Sequence, residues 1–264
     1  MVIKRIQPPA LRDAQLLERV AAAAREAGEA VLAVYCHEID VRAKGDASPL
    51  TLADEHAEAV ILRHLAQLTP RVPVISEEEA AAGRIPRVGR RFWLVDPLDG
   101  TKEFIERNGE FTVNIALIED GAPRLGVVHA PALGLLFSGG VGLGAWVHDA
   151  SGVREIRCRA VPDAGVTVVA SRSHGDEQAL ARYLAGRTVA AQTCAGSSLK
   201  FCLVAQGSAD LYPRLGRTME WDTAAGHAVL AAAGGRVTTL DGAELRYGKP
   251  GLDNPHFVAR GLGD

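Results

Sequence analysis

Residues 91–95 (RFWLV) are an apolar, β-prone run that passes without a break into Asp96-Pro97-Leu98-Asp99-Gly100-Thr101. Two carboxylates three residues apart at the end of a buried strand repel each other, and a hard divalent cation is the usual remedy. Pro97 fixes its own φ and stiffens the backbone between the acids. Gly100 lets the chain approach an anion closely, and Thr101 offers a hydroxyl to orient a water. Asp-Pro and Asp-Gly are also common surface-turn pairs. This copy differs in following directly from an apolar strand, and the segment is read as a turn that ends it.

The 264 residues suffice for one large domain or two sub-domains sharing a core. At this size burial alone stabilises a fold without disulfides or a structural metal. Residues 11–35 place apolar side chains at three-four spacing between charges and predict an amphipathic helix. After a polar stretch at 43–48, Thr51-x-x-Asp54 has the pattern of a capping box opening a second helix. Residues 72–75 predict a strand ending in Ser76-Glu77-Glu78-Glu79. Residues 111–118 and 124–129 predict a hairpin turning through Glu119-Asp120-Gly121, and 135–138, 145–148 and 153–157 continue in the same style. Beyond residue 160 strands and helices alternate, with strands at 166–170, 188–190 and 209–212 and helices at 176–184, 197–206 and 222–233. The pattern predicts an α/β fold layered αβαβα. An antiparallel-sheet sub-domain over 1–160 and a smaller α/β sub-domain over 161–264 are expected.

Composition removes several function classes. Apolar residues are 47% and charged residues 23%, with a net charge of −3, so the chain is an ordinary globular protein with no basic surface for nucleic acid. Its 24 Arg and 5 Lys are scattered along the sequence. Cys36, Cys158, Cys194 and Cys202 form no C-x-x-C pair and read as buried, reduced thiols. The first ten residues lack the apolar core of a signal peptide, and no apolar run is long enough to span a membrane. A cytoplasmic protein is expected, with peripheral membrane association left open. Gly140-x-Gly142-x-x-Ala145 is followed by a strand-like AWVH and reads as a hairpin turn rather than a dinucleotide loop. An EF-hand loop is excluded by Leu98 at its third position. The D-x-D-x-T of haloacid-dehalogenase phosphatases is one residue shorter than Asp96-x-x-Asp99.

Two more acidic sites complete the pattern. Glu77 and Glu78 end the preceding strand, so two strand ends point acids toward one rim. Asp222 opens the last long helix, where plain capping is the alternative account. Asp54, Glu77-Glu78, DPLDGT at 96–101 and W-D-x(11)-G-G at 221–235 together resemble the lithium-sensitive, magnesium-dependent phosphatases of the inositol monophosphatase superfamily. Residues 92–117 and 196–227 are most similar to its bacterial 3′(2′),5′-bisphosphate nucleotidase branch. Those enzymes hydrolyse adenosine 3′,5′-bisphosphate to AMP and phosphate.

The resemblance implies a site with two magnesium ions, or three. Glu77, Asp96 and the carbonyl of Leu98 would hold the first ion, and Asp96, Asp99 and Asp222 the second. Asp54 and Thr101 would orient the attacking water around the third, weaker one. Glu77 rather than Glu78 is chosen by alignment with the family's paired acids. The backbone of Gly100 and Thr101, at a helix start, would hold phosphate oxygens. Glu77, Leu98, Asp99 and Asp222 would also meet the substrate, with Lys102, Ser198 and Lys200. Ser171-Arg172-Ser173-His174 and Gly196-Ser197 are placed to meet a second phosphate and the adenosine, or else are turn caps and solvated side chains. Inositol phosphatases usually carry a Glu seven residues before the W-D aspartate, where Leu215 stands. They also tend to read DPIDGT-T-N-F, where this chain has Lys102-Glu103-Phe104. Both departures favour a small nucleotide bisphosphate over the alternative, an inositol or sugar phosphate. The resemblance allows a monomer or a homodimer.

Overall fold

The computed structural model describes residues 12–36, 49–172 and 177–263. Two long helices come first, α1 (Asp13–Tyr35) and α2 (Pro49–Leu68). They pack on one face of a seven-stranded sheet whose strands lie in sequence order. These are β1 (Val74–Ser76), β2 (Arg91–Asp99), β3 (Thr112–Glu119), β4 (Ala122–Ala130), β5 (Leu135–Gly140), β6 (Gly144–Asp149) and β7 (Gly152–Ile156). One-turn helices α3 (Glu77–Ala81) and α4 (Thr101–Ile105) follow β1 and β2.

The second sheet has five strands: β8 (Val166–Ser171), β9 (Val189–Ala195), β10 (Leu211–Arg214), β11 (Arg236–Thr239) and β12 (Phe257–Arg260), in the order β11-β12-β10-β8-β9. Between the sheets lie α6 (Leu199–Ala205) and α7 (Glu220–Ala232), while α5 (Glu177–Leu184) covers the outer face of the second. The layers therefore run αβαβα, as expected. Strands β11 and β12 carry too short a pattern to be read from sequence, and β9 runs five residues past its predicted end.

Alternation along β2 divides its apolar residues between two cores. Trp93 and Val95 pack toward α1 and α2, and Phe92 and Leu94 toward the layer of α6 and α7. The second of these cores takes in residues of both sheets, from Phe92 to Phe257. Asp120 and Gly121, at φ 52° and 75°, form the two-residue connection that the β3–β4 hairpin requires.

Three local expectations need correction. The segment after Val95 is not a turn: β2 continues to Asp99. Its pairing with β3 skips from Asp96↔Asn114 to Asp99↔Thr112, so β2 holds one residue more than its partner there. Such a bulge tolerates a proline within a strand and re-aims the flanking side chains. Thr51 lies inside α2 rather than at its cap. Cys158 and Cys202 are buried, but Cys36 and Cys194 are exposed, because one follows the last turn of α1 and the other lies on the edge strand β9. The stretch 43–48, together with Ser173, His174 and Asp176, lies outside the described residues. Among the described residues no helix is long and apolar enough to cross a membrane.

Because α7 runs between the two sheets, its polar groups need internal partners. His227 is buried with Nδ1 3.0 Å from the Tyr247 hydroxyl, and burial pushes its pKa down to about 3. The folded protein then refuses a proton that the unfolded chain accepts below about pH 6.5. This contribution to stability is complete above that pH and is lost as pH falls toward 3. His227→Gln is expected to lose less melting temperature between about pH 7 and pH 5 than the wild type, measured by thermal denaturation. Equal losses would overturn the assignment.

Candidate active site

The bulge at the end of β2 points its acids into a cleft of about 430 Å³ between the two sheets. Asp96 is 1% exposed, and its Oδ1 accepts the backbone N–H of Leu98 at 3.0 Å. Asp99 receives the Asn114 amide on Oδ2 at 3.4 Å. Glu77, first residue of α3, stands on the same wall because β1 pairs in parallel with β2, bringing both strand ends to one rim. Asp222 reaches the wall from the first turn of α7. Its Oδ2 accepts the Met219 N–H at 2.8 Å, so capping and exposure to the cleft are both true of this residue.

These acids raise one another's pKa. Burial and then Glu77, Asp99, Asp222 and Asp54 hold Asp96 well above the carboxylate range. Burial and Asp99 push Asp222 up to about 8, and burial with Asp99 pushes Glu77 to about 7. Asp99 is also raised by burial, against the pull of Lys200 and Ser198. Asp54, on α2, is 8% exposed behind this wall and does not line the cleft. Burial, then Glu78 and Glu77, push it to about 8. Glu78 does not line the cleft either, and its neighbours Glu58 and Glu55 raise it further after burial.

Of the remaining predicted residues, Leu98, Gly100, Thr101 and Lys102 line the cleft with the acids. Gly100 caps α4 at φ 97°, a left-handed conformation that glycine adopts at least cost. Lys200 lines the cleft too, is 4% exposed, and donates from Nζ to the carbonyls of Ser197 at 2.6 Å and Ala195 at 3.2 Å. Burial pushes its pKa down to about 8. Ser198 does not line the cleft. It is 1% exposed and donates its hydroxyl to the carbonyl of Asp222 at 2.7 Å.

Ser171 and Ser197 reach the cleft, while Arg172 and Leu215 line a smaller recess of about 150 Å³ that shares Ser171 and Arg214 with it. Sequence reasoning missed Arg214 and Arg217, which line the cleft. Their signal was available: two arginines in the eight residues before Trp221-Asp222, one of them closing β10.

The donor set suits a hard divalent cation. It consists of carboxylate oxygens held close in a buried wall, where each ionised group disfavours the next. Asp96→Asn removes one repelling charge and keeps an oxygen for the Leu98 N–H. It is expected to raise the melting temperature of the metal-free protein by about 2–5 °C and to shrink the further rise on adding magnesium. A metal-free variant that melts below wild type would overturn the repulsion argument.

Known proteins share this fold and much of this sequence. The family model described as "Inositol monophosphatase family" matches residues 13–260. The 3′(2′),5′-bisphosphate nucleotidase CysQ of Escherichia coli (strain K12) is 51% identical over 235 residues, which are 88% of this chain and 94% of that protein. The solved structure of CysQ from Bacteroides thetaiotaomicron superposes with a TM-score of 0.83 at 37% identity, covering 95% of this chain and 98% of that one. Mycobacterium tuberculosis SuhB follows at a TM-score of 0.73 and 28% identity, covering 94% of this chain and 91% of that one. The chain belongs to the inositol monophosphatase family.

Proposed function

We propose that this chain is a magnesium-dependent phosphomonoesterase that hydrolyses adenosine 3′,5′-bisphosphate to AMP and phosphate. The observation that carries the reading is that buried acids and three cations line one cleft. Glu77, Asp96, Asp99 and Asp222 line it together with Lys200, Arg214 and Arg217. A bisphosphate suits such a cleft, with the reacting phosphate at the acids and the other at the cations. The 51% identity to a bisphosphate nucleotidase supports the same substrate class.

Glu77, Asp96 and the Leu98 carbonyl would hold one magnesium ion, and Asp96, Asp99 and Asp222 a second. Bound magnesium supplies the acidity that ionises a water near neutral pH and neutralises charge on the phosphate oxygens. Thr101, on the cleft, and Asp54, from behind Glu77, would orient the attacking water around a third, weaker ion. Gly100 and Thr101 present backbone N–H groups to the phosphate. Lys102 and Lys200 set the substrate's position from the cleft lining, and Ser198 acts indirectly by holding the Asp222 carbonyl. Phosphoryl transfer needs alignment and charge neutralisation more than covalent chemistry, so no phospho-enzyme forms.

The test is phosphate release with magnesium, comparing adenosine 3′,5′-bisphosphate with inositol 1-phosphate. The nucleotide is expected to win by a hundredfold or more in kcat/KM, about 2.7 kcal/mol of transition-state discrimination. A tie or a preference for inositol phosphate would remove the nucleotide reading and the use of Leu215 and Lys102 as substrate markers. Lithium is expected to inhibit the magnesium-supported turnover, and Asp96→Asn to abolish it while the circular dichroism spectrum stays native. A variant that keeps most of its turnover would sink the metal assignment.

A further inference from the structure

Glu110 lies in the short connection between α4 and β3, outside the cleft lining. Its side-chain hydrogen bonds run to the other half of the chain. The two carboxylate oxygens receive the Arg172 guanidinium as a fork, at 3.0 and 2.8 Å. Oε2 also accepts the backbone N–H of Gly196 at 2.7 Å. The Glu110 carbonyl accepts the Ser197 hydroxyl at 2.8 Å. On its own side, Glu110 is steadied by its N–H to Asn108 Oδ1 at 2.9 Å.

The segment so gripped is the link from β9 to α6, and it is built to be held closely. A Cβ on Gly196 would stand 2.6 Å from the Glu103 side chain and 2.8 Å from the Glu110 carbonyl oxygen, so only glycine admits this approach. Ser197 has φ 42°, a left-handed conformation that persists in a non-glycine residue only when its surroundings enforce it. From this link Ser197 and Ala195 offer their carbonyls to the Lys200 ammonium, and Ser198 donates to the Asp222 carbonyl. The Arg172–Glu110 pair is itself partly exposed, at 44% and 21%, and such pairs add little to global stability. Its effect is local: it fixes one loop.

We propose that Glu110 is a positioning residue. By clasping the 195–198 link it sets where Lys200 and Ser197 stand in the cleft, and thereby sets the preference for substrates carrying a second phosphate group. This rests on the bisphosphate reading above. A purely structural role would lower turnover of all phosphate esters alike, whereas the clasp acts on discrimination.

The test uses the full chain with magnesium. One measurement is kcat/KM for adenosine 3′,5′-bisphosphate divided by that for p-nitrophenyl phosphate, which lacks a second phosphate. The other is hydrogen exchange of the backbone N–H groups of residues 195–200 by mass spectrometry. In Glu110→Ala the ratio is expected to fall at least tenfold, mainly through KM of the bisphosphate, and exchange over 195–200 to quicken at least tenfold. Glu110→Gln keeps an acceptor for the Gly196 N–H and should fall between wild type and Glu110→Ala in both. Arg172→Met removes only the guanidinium and serves if Glu110→Ala does not fold. A folded Glu110→Ala whose ratio stays within twofold of wild type overturns the proposal. If the wild type itself shows no preference for the bisphosphate, the substrate reading fails separately, and exchange decides the clasp. Quickened exchange then upholds the positioning of the link, and unchanged exchange overturns it.

Discussion

The repulsion between buried carboxylates at the end of β2 is the constraint on which the rest of the molecule turns. Carboxylates taken out of water and set beside one another are costly, and only a rigid scaffold holds them there. The scaffold is β2 itself, central enough to bury both faces, with a bulge that turns Asp96 and Asp99 to the same side. Parallel pairing with β1 adds Glu77 at the adjacent strand end. The start of α7 adds Asp222 from more than a hundred residues away along the chain. Each element is apolar where it packs and acidic only at its tip, so the folding energy comes from the cores and the acids ride on it.

Much of this was legible in the sequence because the signals are local. Residues 91–101 carry an apolar run, two acids and a glycine in one window, and the hairpin through Asp120 and Gly121 is written in its turn residues. The alternating strands and helices after residue 160 gave the αβαβα layering. What escaped was decided by partners distant in sequence. The continuation of β2 through Pro97 depends on where β3 resumes pairing. Strands β11 and β12 become strands by pairing with each other and with β10. Arg214 and Arg217 reach the site because β10 ends at its edge, and Glu110 matters through contacts some 60 to 90 residues away. Asp54 shows the reverse: its motif was readable, but the fold sets it behind Glu77 rather than on the cleft surface.

A buried polar group of polar residues supports the far end of the site. Glu220, fully buried, accepts the backbone N–H groups of Gly248 and Lys249 and the Lys249 ammonium. Asn254 donates to Thr218, Met219 and Thr223. Together they anchor the first turn of α7, from which Asp222 projects. A buried charge of this kind is satisfied by several donors at once, which is what makes burial tolerable. The position of Asp222 is therefore set by a loop of the second sheet, while that of Asp96 and Asp99 is set by the first.

The helix that joins these two settings lies between the sheets, and the core around it takes in residues of both from Phe92 to Phe257. A molecule packed in this way has no seam along which its halves could swing apart, because opening one would expose that shared core to water. The spacing between Asp222 and the acids of β2 is therefore held by the same apolar packing that stabilises the fold.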